Sequence, residues 1–197
     1  MDFSVTSANR KSMSDTIEID GDLDIDLNIP NGGSILIVSN DQSYLTHGIH
    51  KFPAKFFPEL PRYLIRKYSE IGDIVLDPMC GSGTTLLETI LNERIGIGID
   101  IDPIARLISK VKITPIESEP LKTASDALIQ KIQDVSSSDT YQHKIPNFNY
   151  RDNWFRPFVL KELAIIKTSI SMVVQQRPNW IDIEDFFRVV FSSIIRD

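Results

Sequence analysis

Cysteine is nearly absent from this 197-residue chain: Cys80 stands alone. That excludes an internal disulfide framework and a cysteine zinc cluster. No run approaches the roughly 18 consecutive apolar residues of a membrane span. The N-terminus, MDFSVTSANRKSMSD, lacks the apolar centre of a signal peptide, so a cytoplasmic location is the default expectation. An excess of positive charge is also missing. The formal net charge is -6, the wrong sign for a protein that grips nucleic acid with its whole surface. Internal repeats, low-complexity tracts and any Pro-Pro dipeptide are absent as well.

What is present is an ordinary globular composition, 42% hydrophobic and 24% charged, in a chain long enough for one domain with a sizeable core. Its charge is uneven. Residues 14–30 hold Asp15, Glu18, Asp20, Asp22, Asp24 and Asp26 and no basic residue, whereas residues 47–68 hold Lys51, Lys55, Arg62, Arg66 and Lys67 against Glu59 alone. We divide the chain into an acidic leader, 1–43, and a domain, 44–197. Residues 16–28, TIEIDGDLDIDLN, alternate apolar and acidic residues, which fits an edge strand or hairpin and equally a solvated tail. Ser34–Ser39 reads as a short buried strand.

Downstream the pattern becomes regular. Phe57, Leu60, Leu64 and Tyr68 form one apolar stripe on a helix over 56–69. DIVLD (73–77) is a compact strand and residues 83–93 a helix with Leu86, Leu87, Ile90 and Leu91 inward. IGIGID (95–100) is a second buried strand, and Pro103 opens another helix. Strand, helix, strand, helix at this spacing implies an α/β fold with a parallel sheet and right-handed crossovers. Residues 118–135, 157–177 and the apolar end, IEDFFRVVFSSIIRD, read as helices. The last leaves an apolar surface that suggests a missing partner.

The strongest chemical signal is Asp77-Pro78-Met79-Cys80-Gly81-Ser82-Gly83-Thr84-Thr85, placed between a strand and a helix. Glycines at 81 and 83 let the backbone turn tightly and approach a ligand. The helix that follows presents unpaired N–H groups and a positive dipole end. Beyond the carboxyl end of a parallel strand is where such sheets bind ligands. A P-loop is excluded because no Gly-Lys-Ser/Thr follows, and a dinucleotide fingerprint is disfavoured because the third glycine is missing. Asp100 closes the second strand, where an acid accepts hydrogen bonds from ribose hydroxyls. Asp102 is placed to cap the helix at Pro103. Two histidines, His47 and His50, without a third ligand nearby make a poor metal site, so no metal is expected. Cys80 inside the turn reads as packing rather than nucleophile. Trp154 and Phe155 read most simply as an anchor for the next helix.

DPMCGSGTT followed by GIGIDIDP resembles the cofactor-binding motifs of S-adenosylmethionine-dependent DNA methyltransferases that modify an exocyclic base amine, cytosine-N4 or adenine-N6. The upstream run His47-Gly48-Ile49-His50-Lys51-Phe52-Pro53-Ala54-Lys55-Phe56-Phe57-Pro58 is similar to the family segment that packs over the methionine end of the cofactor. Asp152-Asn153-Trp154-Phe155 and the ending Phe191–Arg196 also look like this family, so the likeness spans roughly residues 44–197. It implies a Rossmann-like class I methyltransferase fold with an incomplete sheet. It further implies S-adenosylmethionine as cofactor, DNA as partner, and a role in restriction-modification. Carried over by position, it places Asp77, Met79, Cys80, Gly81, Gly83 and Thr84 along the methionine part, with Thr84 at the carboxylate. Asp100 falls on the ribose, Ile101 against the adenine, and His50, Lys51, Phe52, Pro53 and Ala54 close the other side. The Ser/Asp/Asn-Pro-Pro-Tyr/Phe loop that holds the target amine in this family has no counterpart here. No catalytic residue is therefore assigned, and the resemblance implies that this loop and the DNA-reading region lie in a second polypeptide or a missing C-terminal half. Alone, the chain is expected to be inactive. A catalytically silent cofactor-binding module and an RNA methyltransferase are the alternatives.

Overall fold

The computed structural model describes residues 16–20, 22–27, 31, 33–38, 43–53, 55–138, 145–175 and 180–195. Its centre is a βαβ unit of the Rossmann-like kind. Strand β3 (Ile74–Asp77) leads through the glycine turn into helix α2 (Thr84–Leu91), and strand β4 (Ile95–Gly98) returns parallel to β3, with Ile74 opposite Ile95 and Asp77 opposite Gly98. Helix α1 (Glu59–Tyr68) precedes the unit and helix α3 (Pro103–Ile113) follows it. The sequence places every one of these elements to within a few residues, because each is bounded by a glycine, a proline or a capping acid. Asp102 caps α3 as expected, accepting from the Ile104 N–H at 2.8 Å.

The two strand faces are treated very differently. On one, Gly96 and Gly98 leave room for α2: a methyl at Gly98 would lie 2.5 Å from Leu86 Cδ1 and 3.0 Å from Cys80 Sγ. On the other, Ile74, Leu76, Ile95, Ile97 and the following Ile99 are all exposed. IGIGID is therefore not the buried strand its composition suggests; one face only is covered among the described residues. Helix α1 also has one covered side. Its buried face is Glu59, Pro61, Tyr63 and Ile65, and the apolar stripe read in the sequence lies away from that face, with Phe57, Leu64 and Tyr68 exposed. Leu60, Leu64 and Tyr68 of that stripe line, with Phe56, Ile74 and Val75, an apolar groove of about 420 Å³ along β3. In α2 the buried side is Leu86, Leu87, Glu88 and Thr89, while Ile90 and Leu91 are exposed.

In the leader, β1 (Thr16–Asp20) and β2 (Ser34–Val38) pair in parallel. Of the alternating segment 16–28, residues 16–20 are therefore a strand and the described residues 22–27 are bend, turn and irregular chain, with no second strand to make a hairpin among them. Ile35 and Ile37 are half-buried and Leu36 is exposed, so β2 is not a buried strand either.

Beyond α3, helix α4 (Ser118–Ser136), the single turn α5 (Arg151–Trp154), α6 (Pro157–Gln175) and α7 (Ile181–Ile195) form a helical layer. Ala124, Ile170, Val173, Val174, Trp180, Ile183 and Phe187 make its core. A second cluster joins Ile108 and Val111 of α3 to Val189 of α7. Helix α7 thus buries Ile183, Phe187 and Val189 inside this chain while Ile181, Val190, Ile194 and Ile195 stay exposed, and further bare apolar surface lies on the sheet. No described helix is long and apolar enough to cross a membrane.

Gly83 is the tightest point of the unit. Its φ is +77°, and a methyl there would meet the Ser109 backbone at 3.0 Å. Gly83→Ala should destabilise the protein by at least about 2 kcal/mol, combining the left-handed penalty with overpacking. Urea unfolding checks this; a midpoint equal to that of the parent protein would contradict it.

Candidate cofactor site

The turn from β3 to α2 is built by short polar bonds. Asp77 Oδ1 accepts the Met79 N–H at 3.1 Å, and the Cys80 N–H donates to the Ile99 carbonyl at 3.0 Å. Gly81 adopts φ +51°, and its N–H donates to Asp100 Oδ2 at 2.8 Å. The other oxygen of Asp100 accepts the Asp102 N–H at 2.8 Å. These N–H donors, that of Asp102 first and that of Gly81 second, hold the Asp100 carboxyl below its ordinary range. From behind, Ser109 Oγ donates to the Gly81 carbonyl at 2.7 Å.

The segment 43–57 folds across this turn. Phe52 lies over Gly81, where a Cβ would sit 3.5 Å from its ring, an ordinary packing distance; it is the positive φ that favours glycine at this position. The segment is held by a buried cluster centred on Glu88, which is fully buried in α2. Glu88 Oε1 binds His47 Nε2 at 2.9 Å and accepts from the Tyr44 hydroxyl, while Oε2 accepts from Arg62 Nε at 2.9 Å. Arg62 also donates to the Tyr44 hydroxyl and pairs with Asp22 of the leader. Burial alone would raise the Glu88 carboxyl, but hydrogen bonds from His47, Arg62 and Tyr44 outweigh it and hold the group below its ordinary value. Lys55 Nζ donates to the His47 carbonyl at 3.3 Å, and Thr46 Oγ1 donates to the Lys112 carbonyl at 2.7 Å.

Of the residues singled out in the sequence, Phe52, Asp77, Met79, Cys80, Gly81 and Thr84 converge on one small pocket of about 50 Å³, which Lys55, Phe56, Ser82 and Thr85 also line. Asp100 adjoins it through Gly81. Met79 and Ile101 project outward, 84% and 96% exposed. The pocket is therefore the floor of an open shelf with apolar side chains at its rim. His50 and Pro53 do not join it. They line a larger cleft of about 840 Å³ with Asp102, Trp154, Phe155 and α7, and His50 Nε2 lies 3.2 Å from Ser192 Oγ. His47 and His50 thus turn to different partners. Gly83 faces α3 rather than the pocket. Lys51 is exposed, and Ala54 lies outside the described residues. Cys80 is buried with its Sγ 3.7 Å from Ser109 Oγ, and burial pushes its thiol up, the opposite of an activated nucleophile.

The floor suits an anionic, oxygen-rich group. It combines the N-terminus of α2, a turn without Cβ at 81, and the Thr84 hydroxyl, which is buried with no hydrogen-bond partner. An orphan hydroxyl at a helix N-terminus is a donor held ready for a ligand.

Two contributors were not picked out from the sequence. Glu88 is one. Its helical neighbours at i±4 are Thr84 and Asn92, so an acid in TTLLETIL has no local cation and, once buried, needs long-range partners; that signal was readable. Lys112 is the other. It is buried beside Ser82, its Nζ 3.5 Å from Ser82 Oγ, and burial together with Lys55 pushes it down to about 8. Nothing in PIARLISKVKI separates it from the solvated Lys110.

Residues 30–110 match the N6/N4 methyltransferase family model, described as DNA methylase. The chain is 31% identical over 159 residues to the type II methyltransferase M.MvaI of Kocuria varians, covering 77% of this chain and 34% of that protein. It is 34% identical over 103 residues to the type II methyltransferase M.MjaII of Methanocaldococcus jannaschii, covering 52% and 19%. A solved PvuII DNA methyltransferase, titled cytosine-N4-specific, aligns over 45% of this chain and 35% of its own at 30% identity and a TM-score of 0.36. The chain spans about a third or less of the length of these two curated relatives.

Because its carboxyl is held low, Glu88 contributes stability that is fully present above its ordinary value of 4.5 and is lost as pH falls through its folded value. Glu88→Gln should destabilise the protein near neutral pH by about 3 kcal/mol, the scale of breaking a buried charged cluster. It should also flatten the acid limb of the stability profile. Urea midpoints from pH 3 to 7 check both; a variant that parallels the parent across that range would show that Glu88 is not the ionised hub.

Proposed function

We propose, from the premise that residues 30–110 carry the DNA methylase family's sequence, that this chain is the S-adenosylmethionine-binding portion of a site-specific DNA methyltransferase. The reaction it serves moves a methyl group to the exocyclic amine of cytosine or adenine in DNA, within a restriction-modification system. One observation carries the reading: the glycine turn of a parallel βαβ unit, locked by Asp100 and roofed by Phe52, with an unpartnered Thr84 hydroxyl in its floor.

The cofactor supplies the methyl group on a positively charged sulfur. The chain's own residues hold and orient it. Asp100 has one N–H on each oxygen, which leaves lone pairs for ribose hydroxyls. Ile101 and Met79 offer exposed apolar surface to the adenine and the thioether region. Phe52 closes the methionine side and keeps water from it, with Lys51 and Pro53 flanking. Fixing the cofactor in this way lets positioning do most of the catalytic work.

The loop that holds the target amine and the elements that read DNA sequence belong, in this reading, to further polypeptide, either a second chain or another part of the same protein. The bare surfaces on the sheet support that. Parallel strands are normally covered on both faces, and here Ile74, Leu76, Ile95 and Ile97 are exposed beside the apolar groove of α1.

Calorimetric titration with S-adenosylmethionine tests the assignment. The protein should bind one equivalent, and Asp100→Ala should weaken binding about tenfold to a hundredfold, the scale of hydrogen bonds lost from a charged group. Unchanged affinity in a variant that keeps its melting temperature would remove Asp100 from the site.

A further inference from the structure

Lys112 is 3% exposed, yet no carboxylate among the described residues pairs with it. Its side-chain contact is the Ser82 hydroxyl at 3.5 Å, and the charged group that acts on it most is a second cation, Lys55. Lys110, two residues earlier on the same helix, shows the ordinary arrangement: it is half-exposed and paired with Asp185 and Asp182. Acids around the turn are engaged elsewhere. Glu88 is satisfied by Tyr44, His47 and Arg62, and Asp77 and Asp100 accept backbone N–H groups. An unpaired cation inside a protein is destabilising, and such groups persist where a ligand completes them.

The missing partner has a natural place. Ser82, which Lys112 touches, lines the same small pocket as Thr84 and Lys55. Thr84 is 4% exposed and its hydroxyl has no partner. The N-terminus of α2 adds its dipole. The Lys55 ammonium, the Ser82 and Thr84 hydroxyls and the helix N-terminus border this pocket with Lys112 behind Ser82, and the one carboxylate among its lining residues, Asp77, accepts the Met79 N–H. We infer that Lys112 is the counter-charge for the carboxylate at the amino-acid end of S-adenosylmethionine, acting with Ser82 and Thr84; this rests on the reading of the glycine turn as that cofactor's site. Lys112 is a positioning residue, since it acts from behind Ser82 and takes no part in methyl transfer. Its lowered proton affinity in the ligand-free protein is the cost of keeping that charge in place.

Two ligands separate this role from a structural one: S-adenosylmethionine, which carries the carboxylate, and 5′-methylthioadenosine, which lacks the whole amino-acid end. Each is titrated calorimetrically into the protein and into Lys112→Met and Lys112→Gln; the Gln variant retains a donor for Ser82. Both variants should bind S-adenosylmethionine about tenfold more weakly or worse, the scale of a lost charged hydrogen bond, with methylthioadenosine affinity unchanged. Without ligand, Lys112→Met should melt at the same temperature as the parent or higher, because a buried unpaired charge has been removed. Parallel loss of both ligands, a lower melting temperature in both variants, or no change in either affinity would overturn the inference. Failure of the parent protein to bind either ligand would instead remove the cofactor site itself.

Discussion

Glu88 is an acid inside an apolar helix, and its carboxylate is completed by groups from Tyr44, His47 and Arg62, which lie 26 to 44 residues upstream. A buried charge is tolerated only when its lone pairs are met with good geometry. That requirement ties the segment before α1, and α1 itself, to the helix that follows the glycine turn. Because the bonds are directional, they fix more than proximity. They bring Phe52 over Gly81 and Lys55 onto the His47 carbonyl, and through Arg62 they reach Asp22 in the leader. Apolar packing alone would hold these pieces together with less control over register.

The other constraint is the division of labour between the two faces of the β3–β4 pair. Gly96 and Gly98 let α2 approach closely, and this places the α2 N-terminus and Thr84 at the carboxyl ends of the strands. The isoleucines alternating with those glycines face the other way and are bare. The polar shelf and the apolar face therefore arise from the same alternation in IGIGID. Among the described residues the second face of the pair is bare.

Much of this was legible in the residues. The glycine turn, the strands on either side and the cap at Asp102 are set by local chemistry: left-handed backbone, proline at a helix start, an acid accepting an N–H two residues on. Orientation was less legible. The stripe Phe57, Leu60, Leu64 and Tyr68 has helical period, but period alone does not say which of two apolar faces meets the core, and Tyr63 and Ile65 take that place. The strands were read as buried because their composition suits burial on both sides, whereas one side is covered here. The pairing of β1 with β2 depends on a crossover that alternation cannot reveal. Lys112 was illegible for a similar reason: its burial follows from the path of residues 43–57, not from α3. Cys80 needed no tertiary information, since a thiol in a tight glycine turn is small enough to pack.

The shelf above residues 79–84, and not the larger cleft beside Trp154, is the proposed seat of the cofactor. Amide NMR during titration with S-adenosylhomocysteine tests it most directly. The largest shifts are expected at Gly81, Ser82, Gly83, Asp100 and Ile101. Shifts confined to the cleft lined by Trp154, Val159 and Ile194, or none at saturating ligand, would contradict it.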